Sequence, residues 1–509
     1  MDYLQPNLTI ESGPKDAKEV EHIINVLKND FNLFETPEES NKREEILISL
    51  KKCVKEAVKN VYKSNGKTNE EANSAGGGVF PFGSYRLGIV GPGDDIDVLC
   101  IAPDIDSKDD MKKCGRYELF EEMRKQLEKL QKEKNEITQI LPVTEARVPI
   151  IKIVFKGIPI DILVATVSFK SIDENFNLDD DNVLKNCCDK CILSLNGCRV
   201  TNAIFNTLIK TFPKERIDDF RITLRAIKLW AKKRGIYSNA MGYLGGVAWA
   251  ILVAKICQLF PKCRANILIR KFFEVYGNWD WEFPVQINEI KKEVEFTCSM
   301  KVWEKDNTSF PFYIITPAFP AQNTNANTNQ ILRRVMVEEF NKFKEYTSKI
   351  NIDDENCEFT WKGLFQGGIS LFGEYNYFLQ IDILVTNKNE FKSWDAYVES
   401  QLRKLISNFI DIPQIKLRPY SIGYNIKDPV FPCCKTYLYG ISFVDPESFE
   451  IKPNKVINLR EPIKKFVIDL DKKRGNANDK ILKNLRINFK EMKDLPFEIL
   501  QIQKDEMRK

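Results

Sequence analysis

Histidine is almost absent from this 509-residue chain, which contains a single copy, His22. A Ser-His-Asp triad, a histidine metal triad or an HExxH hydrolase motif would depend entirely on that one ring, which lies in an N-terminal helical stretch. The sequence therefore excludes these classes of site. Any chemistry has to rest on carboxylates, lysines or cysteines.

Long apolar runs are also missing. The longest, residues 243–254, ends at Lys255 and is well short of the roughly 20 apolar residues that span a bilayer. We expect a buried helix there and no membrane association. The N-terminal residues have no basic and then apolar leader, and the 13 cysteines show no secreted disulfide framework, so a reducing interior compartment is predicted.

Four of the cysteines lie within residues 187–198 and include a CxxC pair. A structural zinc site needs a second pair of ligands with matching spacing, and the sequence supplies none. We therefore interpret these cysteines as incidental thiols.

Length and composition predict a globular protein of two to four domains, with 43% apolar and 29% charged residues. The net charge is only +4, but residues 452–493 carry 13 lysines and arginines against 5 acids. Such a block is either a solvated helix face or a surface for polyanions.

Asp95 and Asp97 stand in an otherwise apolar segment that follows Asp94, within residues 94–103, DDIDVLCIAP. In a strand, Asp95 and Asp97 point to one face while Ile96 and Val98 point to the other. A buried carboxylate is costly unless it is paired or binds a metal. Asp161 repeats the anomaly in the apolar run IPIDILVA. Any one of these acids alone is most simply a turn or edge-strand residue, but three together predict a site for divalent cations.

Two further patterns point to phosphate. Gly83 and Ser84 precede YRLG, where a short helix would offer free N–H groups and the Ser84 hydroxyl. On a later predicted helix, Arg221, Arg225, Lys228 and Lys232 share one face; this stripe is either a triphosphate-binding surface or a solvated face. Tyr237, just beyond it, either contacts a nucleotide or belongs to the core.

Local signals define several elements. Thr36, Pro37 and Glu39 form a capping box that starts a long amphipathic helix. Lys156 and Gly157 predict a tight hairpin between two strands. Beyond residue 349, the order strand, helix, strand, strand and a late strand predicts a small ferredoxin-like sheet.

The spacing of Gly83-Ser84 to Asp95-Ile-Asp97 is typical of the nucleotidyltransferase superfamily. Within it, the chain resembles the eukaryotic nuclear poly(A) polymerase family, closely from Thr36 to about Lys344 and loosely beyond. The similar stretches, in chain order, are FGSYRLG, DIDVLCIAP, IPIDILVA, SLNGCRVT, LRAIKLWAKKRGIYSNAMGYLGGVAWAILVAKICQLFP, and ITPAFPAQNTNANT followed by VMVEEF.

The resemblance implies an α+β multidomain protein. Its expected parts are an N-terminal segment (1–41) packed on the central domain, a polymerase-beta-like nucleotidyltransferase catalytic domain (42–167), a helical central domain (168–348) and an RNA-recognition-motif-like domain (349–509). No long Ser/Thr-rich tail follows Lys509, so we expect a compact version without that layer of control.

The resemblance also implies the site residues. The catalytic and metal-binding residues would be Asp95, Asp97 and Asp161. The nucleotide-binding residues would be Phe82, Gly83, Ser84, Asn196, Lys228, Lys232, Tyr237, Asn239, Gly246, Val247 and Thr316. Within that set, Asn196 would lie near the ribose, the two lysines at the triphosphate, and Asn239 and Thr316 near the adenine edge.

The activity implied is template-independent addition of AMP from ATP to the 3′ end of single-stranded RNA, with two Mg²⁺ or Mn²⁺ ions and release of pyrophosphate. A nuclear monomer that works with cleavage and polyadenylation factors is expected. Two alternatives stay open: a uridylyl- or CCA-adding enzyme of the same fold, and a catalytically inactive RNA-binding scaffold.

Overall fold

The computed structural model describes residues 6–105, 115–144, 146–213, 216–305, 310–366, 373–444, 457–473 and 484–507. The basic block at 452–493 therefore lies partly outside the described residues. The strands are β1 (Gly78–Phe82), β2 (Ile96–Pro103), β3 (Ile137–Val143), β4 (Ile150–Phe155), β5 (Ile158–Val167), β6 (Tyr377–Val385), β7 (Ile415–Asn425), β8 (Cys433–Phe443) and β9 (Leu485–Glu491).

Helices precede, separate and follow these strands along the chain. They are α1 (Pro14–Asn25), α2 (Pro37–Ser64), α3 (Asn69–Ser74), α4 (Gly83–Leu87), α5 (Arg116–Lys134), α6 (Asp189–Thr211), α7 (Ile217–Lys233), α8 (Gly246–Leu259), α9 (Ala265–Gly277), α10 (Gln330–Ser348), α11 (Trp361–Gln366), α12 (Lys388–Ser407), α13 (Arg460–Lys473) and α14 (Phe497–Met507). Shorter helical turns lie at Val26–Asp30, Asp181–Leu184 and Met492–Asp494. Helices α6 to α11 lie between β5 and β6 in the chain.

The first sheet has the strand order β1-β2-β5-β4-β3. Strands β2 and β5 are parallel, and the other pairs are antiparallel. Because side chains alternate along β2, Ile96 and Val98 pack with α2 and α5 on one face, as the sequence predicts, while Leu99 packs with α6 on the other. The sheet is therefore covered on both faces, and the ends of β2 and β5 remain for a site.

The predicted local signals at the start of α2 and at the β4–β5 turn are confirmed. The Thr36 Oγ1 accepts a hydrogen bond from the Glu39 N–H at 3.2 Å, and the Glu39 carboxylate accepts one from the Thr36 N–H at 2.8 Å. Lys156 and Gly157 have φ values of 50° and 80°, as the primed hairpin turns require. This turn sets the register between β4 and β5.

Helices α7 to α10 form a largely apolar bundle around Trp230 and Trp249, whose rings lie edge to face 6.2 Å apart. The apolar run predicted to be a buried helix is α8, which is buried in this bundle. Among the described residues, we find no helix with the length and apolarity that a membrane span needs.

The N-terminal segment packs on the central helices. The Glu19 carboxylate of α1 accepts hydrogen bonds from Arg270 of α9 at 2.6 Å and from the Trp361 indole at 3.0 Å. The Asn7 N–H donates to the Leu259 carbonyl at 2.7 Å. The predicted domain boundaries stay predictions, and these contacts describe only how the segment is held.

The second sheet is antiparallel, with the order β7-β8-β6-β9. Helix α12 follows β6 and helix α13 follows β8, so the chain order is strand, helix, strand, strand, helix, strand. This is the ferredoxin-like arrangement that the sequence predicts. It includes a second full helix, α13, ahead of the last strand.

Candidate active site

Three aspartates converge where β2 and β5 begin. Asp97 of β2 lies directly opposite Asp161 of β5 in the parallel register. Asp95 precedes the first residue of β2, so the expectation that it lies inside the strand is wrong: the turn at residues 91–93 delays the extended backbone until Ile96. Ligand oxygens of the three carboxylates all lie within 4.8 Å of one another.

The electrostatics of this cluster favour a bound cation. Burial, followed by the charges of Asp95 and Asp161, raises the pKa of Asp97 to about 7. Burial, followed by the charge of Asp161, also raises the pKa of Asp95. Three carboxylates this close repel one another, and a hard divalent cation prefers oxygen ligands of this kind. The residues present therefore fit Mg²⁺ or Mn²⁺.

Lys152 is a member of the site that the sequence analysis missed. Its Nζ lies 2.6 Å from the Asp161 Oδ2, across the antiparallel pair of β4 and β5. The predicted hairpin at residues 156–157 could have revealed this pair. Counting outward from the turn along both strands places Lys152 opposite Asp161.

The start of α4 faces the aspartates. Gly83 has a φ of 60°, and a Cβ atom at this position would lie 2.6 Å from the Asp97 Oδ2, so both the backbone conformation and the close approach require glycine. The next residue, Ser84, accepts a hydrogen bond through its Oγ from the Lys228 Nζ at 3.0 Å. Residues 82–84 and α7 thus meet beside the acidic cluster.

Lys228 and Lys232 supply positive charge on the opposite wall. Burial, followed by the charge of the neighbouring Lys232, lowers the pKa of Lys228 to about 8. Lys232 is exposed, and its Nζ lies 5.5 Å from the centre of the Tyr237 ring. Burial raises the pKa of Tyr237 to about 12, so its hydroxyl stays protonated at neutral pH.

These residues enclose a cleft of about 470 Å³ between the first sheet and the central helices. The predicted residues that line it are Phe82, Gly83, Ser84, Asp95, Asp97, Lys228, Lys232, Tyr237, Gly246 and Val247. Four apolar residues that the sequence analysis did not name complete its wall, namely Leu87, Ile89, Ile204 and Ala250. Nothing in their sequence context distinguishes them from ordinary core residues.

Three predicted nucleotide contacts are not part of the cleft lining in the described part of the chain. Asn196 lies next to Gly197, which does line the cleft, and its Oδ1 is buried with no hydrogen-bond partner among the described residues. Asn239 accepts a hydrogen bond through its backbone carbonyl from Asn327 at 3.3 Å. Thr316 accepts one through its Oγ1 from the Gln322 N–H at 2.8 Å. Their nucleotide roles stay predictions.

The four residues of the predicted basic stripe on α7 make two different kinds of contact. Lys228 and Lys232 line the cleft. Arg221 and Arg225 instead donate hydrogen bonds to backbone carbonyls of residues 87–90, at 3.1 to 3.3 Å. Helical periodicity placed the four cations on one face, but it did not show which of them face the cleft.

Gly83→Ala is expected to lower the rate of the reaction at this site by roughly 10²-fold, because displacing a carboxylate by about 1 Å is enough for a loss of that size. Steady-state kinetics on the purified variant measure the loss. Gly157→Ala is the matched control, since Gly157 also has a positive φ but nothing within 4 Å of the added Cβ. Equal rates for the two variants would contradict the close approach of Gly83 to Asp97.

Comparisons with known proteins agree with this arrangement. The chain matches the family models described as the poly(A) polymerase nucleotidyltransferase domain over residues 5–208, the poly(A) polymerase central domain over residues 219–367, and the poly(A) polymerase predicted RNA binding domain over residues 370–430.

Individual relatives are similar over most of this chain. It is 38% identical over 476 residues to a poly(A) polymerase of Dictyostelium discoideum, covering 92% of this chain and 55% of that protein. It is 36% identical over 380 residues to nuclear poly(A) polymerases 2 and 4 of Arabidopsis thaliana, covering 74% of this chain and 44% and 48% of those proteins. The chain thus spans about half the length of the curated relatives it matches.

Proposed function

This chain belongs to the poly(A) polymerase family, and on that premise we propose that it is a template-independent polynucleotide adenylyltransferase that adds AMP from ATP to RNA 3′ ends. The observation that carries the proposal is the convergence of Asp95, Asp97 and Asp161 within 4.8 Å. The first two line a cleft together with Ser84 and Lys228, and Asp161 lies beside that lining. An acidic centre beside a basic wall suits transfer of a nucleotidyl group from a triphosphate.

In the proposed reaction, the RNA 3′ oxygen forms a bond to the α-phosphorus of ATP, and the bond between that phosphorus and the oxygen bridging to the β-phosphorus breaks. Pyrophosphate leaves, and the hydroxyl proton is released. Two Mg²⁺ or Mn²⁺ ions bound to the three aspartates would supply activation of the hydroxyl and neutralisation of the leaving group.

The remaining residues of the cleft would orient ATP. Lys228 and Lys232 would neutralise the triphosphate. The Ser84 hydroxyl, which accepts a hydrogen bond from Lys228 in the structure, would contact a phosphate oxygen. The Oδ1 of Asn196, which has no hydrogen-bond partner in the described part of the chain, suits a hydroxyl donor such as the ribose, because a buried acceptor without a partner is costly. Tyr237, Val247 and the apolar wall would enclose the base, with Asn239 and Thr316 near its edge.

Single-stranded RNA would enter the same cleft with its 3′ end towards the aspartates. The region matching the RNA binding domain, residues 370–430, would hold the upstream strand through phosphate contacts and base stacking. Such binding weakens as salt rises.

Residence in the nucleus, action as a monomer and cooperation with cleavage and polyadenylation factors are part of this proposal. Two of the similar proteins are named nuclear poly(A) polymerases, and this supports the nuclear assignment. Imaging of the tagged chain in cells tests it.

Incubation of the purified protein with a radiolabelled RNA primer, Mg²⁺ and each of the four nucleoside triphosphates separately tests the activity. We expect long 3′ extension with ATP and little with UTP, CTP or GTP. Extension mainly with UTP, or completion of CCA from CTP and ATP, would assign a different nucleotidyltransferase, and binding without extension would leave an RNA-binding scaffold.

The pH dependence of kcat/KM for ATP reports the state of Lys228 in the free enzyme. Because its lowered pKa is about 8, the amine loses its charge as pH rises through that value, and kcat/KM is expected to fall above it, by up to about tenfold per pH unit. Initial rates between pH 6.5 and 9.5 measure the decline. Lys228→Arg stays charged throughout, so the decline should disappear in that variant; an identical decline there would contradict the assignment.

A further inference from the structure

Residues 87–94, which we call the connecting loop, join two parts of the site. One part is the start of α4 with Ser84, and the other is Asp95, which precedes β2. The loop starts at Leu87, the last residue of α4, and ends at Asp94, directly before Asp95. Two glycines with positive φ, Gly88 at 73° and Gly93 at 76°, turn its backbone. The position of Asp95 therefore depends on what fixes this loop.

Arginines from two separate elements bind the backbone carbonyls of the connecting loop. Arg225 of α7 donates through one nitrogen, Nη2, to the carbonyls of Gly88 at 3.1 Å and Val90 at 3.3 Å. Arg43 of α2 donates, also through Nη2, to the carbonyl of Asp94 at 2.7 Å and to that of Gly91 at 3.3 Å. The Asp94 carbonyl belongs to the peptide unit that immediately precedes Asp95.

Both arginines are held in place by the segment that precedes α2. The Arg225 guanidinium lies over the Phe34 ring, 4.6 Å from its centre. Arg43 is only 1% exposed and lies 3.2 Å from the Glu35 carboxylate. A buried guanidinium has several donors in a fixed planar geometry, so it holds carbonyls that no regular secondary structure satisfies.

The helix that provides Arg225 also provides Lys228, three residues further along α7. One rigid helix thus contacts both the connecting loop and the phosphate wall of the cleft. A displacement of Arg225 relative to the loop changes the distance between Asp95 and the triphosphate-binding lysine.

We propose that Arg225 and Arg43 are positioning residues for nucleotidyl transfer: by binding the carbonyls of the connecting loop from α7 and α2, they place Asp95 against Asp97 and Asp161 for metal binding. The inference rests on the proposed function for the reaction, but its structural content is the geometry of the metal site. Residues that orient metal ligands affect metal affinity although they never touch the ion.

The test measures Mn²⁺ affinity by electron paramagnetic resonance, together with kcat and the KM for ATP, in Arg225→Gln and Arg225→Lys. For Arg225→Gln we expect Mn²⁺ affinity and kcat to fall about 10- to 100-fold, with a smaller change in KM because Arg225 does not line the cleft. Arg225→Lys keeps a charged donor and should recover part of the affinity. Arg43→Lys should also weaken Mn²⁺ binding.

Lys233→Gln is the matched control. Lys233 lies on the same helix and its Nζ is 5.9 Å from the Phe31 ring centre, so the variant removes one charge from the same surface without contacting the connecting loop. Its Mn²⁺ affinity and kcat should equal those of the parent.

Unchanged Mn²⁺ affinity in folded Arg225→Gln would overturn the proposal, as would a loss of activity that only follows the fraction of unfolded protein in a thermal melt. If Arg225→Gln does not fold, Arg225→Lys takes its place in the test. Unchanged Mn²⁺ affinity in folded Arg225→Lys would then overturn the proposal. Because Mn²⁺ binding is measured without ATP or RNA, the outcome stands even if the parent protein fails to extend RNA, which would contradict only the proposed function.

Discussion

Asp97→Asn is expected to lower kcat for the proposed addition of AMP by roughly 10³-fold or more, since a metal centre contributes several kcal/mol of transition-state stabilisation and about 1.4 kcal/mol corresponds to a factor of ten. Asp97 is the central acid of the cluster: it pairs in register with Asp161, and its pKa is the one raised to about 7. Asparagine keeps the shape of the side chain but removes the charge that binds the cation. Single-turnover extension of an RNA primer measures the loss.

ATP binding should be largely retained in Asp97→Asn, because Lys228, Lys232 and the apolar wall remain. Equilibrium binding of a fluorescent ATP analogue checks this point. The matched control is Asp173→Asn, which changes an exposed aspartate outside the cleft lining and should leave the rate unchanged. Activity of Asp97→Asn within about tenfold of the parent would contradict a catalytic role for the cluster.

Glu339→Ala is expected to lower the free energy of unfolding by about 3–5 kcal/mol, because it leaves two guanidinium groups buried without their counter-charge. Glu339 of α10 is 1% exposed. Its carboxylate lies 2.6 Å from Arg234, at the end of α7, and 3.3 Å from Arg418 of β7. This cluster joins the helical bundle to the second sheet. Urea denaturation followed by circular dichroism measures the loss.

Glu338→Ala is the control for the same helix. Glu338 is partly exposed and pairs with Lys416 at 2.9 Å, so its removal should cost at most about 1 kcal/mol. Equal destabilisation by the two variants would contradict the structural role of the buried cluster.

The same cluster predicts how the free energy of unfolding depends on pH. Burial alone would raise the pKa of Glu339, but the charges of Arg234 and Arg418 outweigh it and hold the pKa at about 2. The contribution of Glu339 is therefore complete above its ordinary pKa of 4.5 and is lost as pH falls from there towards 2. Glu339→Gln should reduce this acid-dependent part of the denaturation curve.

The first sheet was predictable because its signals are local. The alternation of side chains along β2 correctly predicted that Ile96 and Val98 are core residues. Lys156 and Gly157 correctly predicted the hairpin that pairs β4 with β5. The same hairpin implied the pairing of Lys152 with Asp161, but a single lysine in an apolar strand is noticed only when the strands are aligned residue by residue. The position of Asp95 before the strand depends on the conformation of the glycine-containing turn.

Contacts between distant segments were not predictable in the same way. Arg221 and Arg225 reach residues 87–90 through backbone carbonyl acceptors, which every residue possesses and which leave no mark in the sequence. The buried cluster of Arg234, Glu339 and Arg418 joins positions far apart in the chain, and each of these residues alone reads as an ordinary surface charge. The apolar wall of the cleft has the same composition as the core.

The most direct test of the account is a crystal structure of the protein with Mn²⁺ and a non-hydrolysable ATP analogue, with the ions located by anomalous scattering. We predict two Mn²⁺ ions coordinated by carboxylates of the Asp95, Asp97 and Asp161 cluster. At least one of the ions is also coordinated by the triphosphate, and Lys228 contacts the phosphates. Anomalous signal elsewhere, or a triphosphate bound away from the three aspartates, would contradict the claim that this cluster is the catalytic centre.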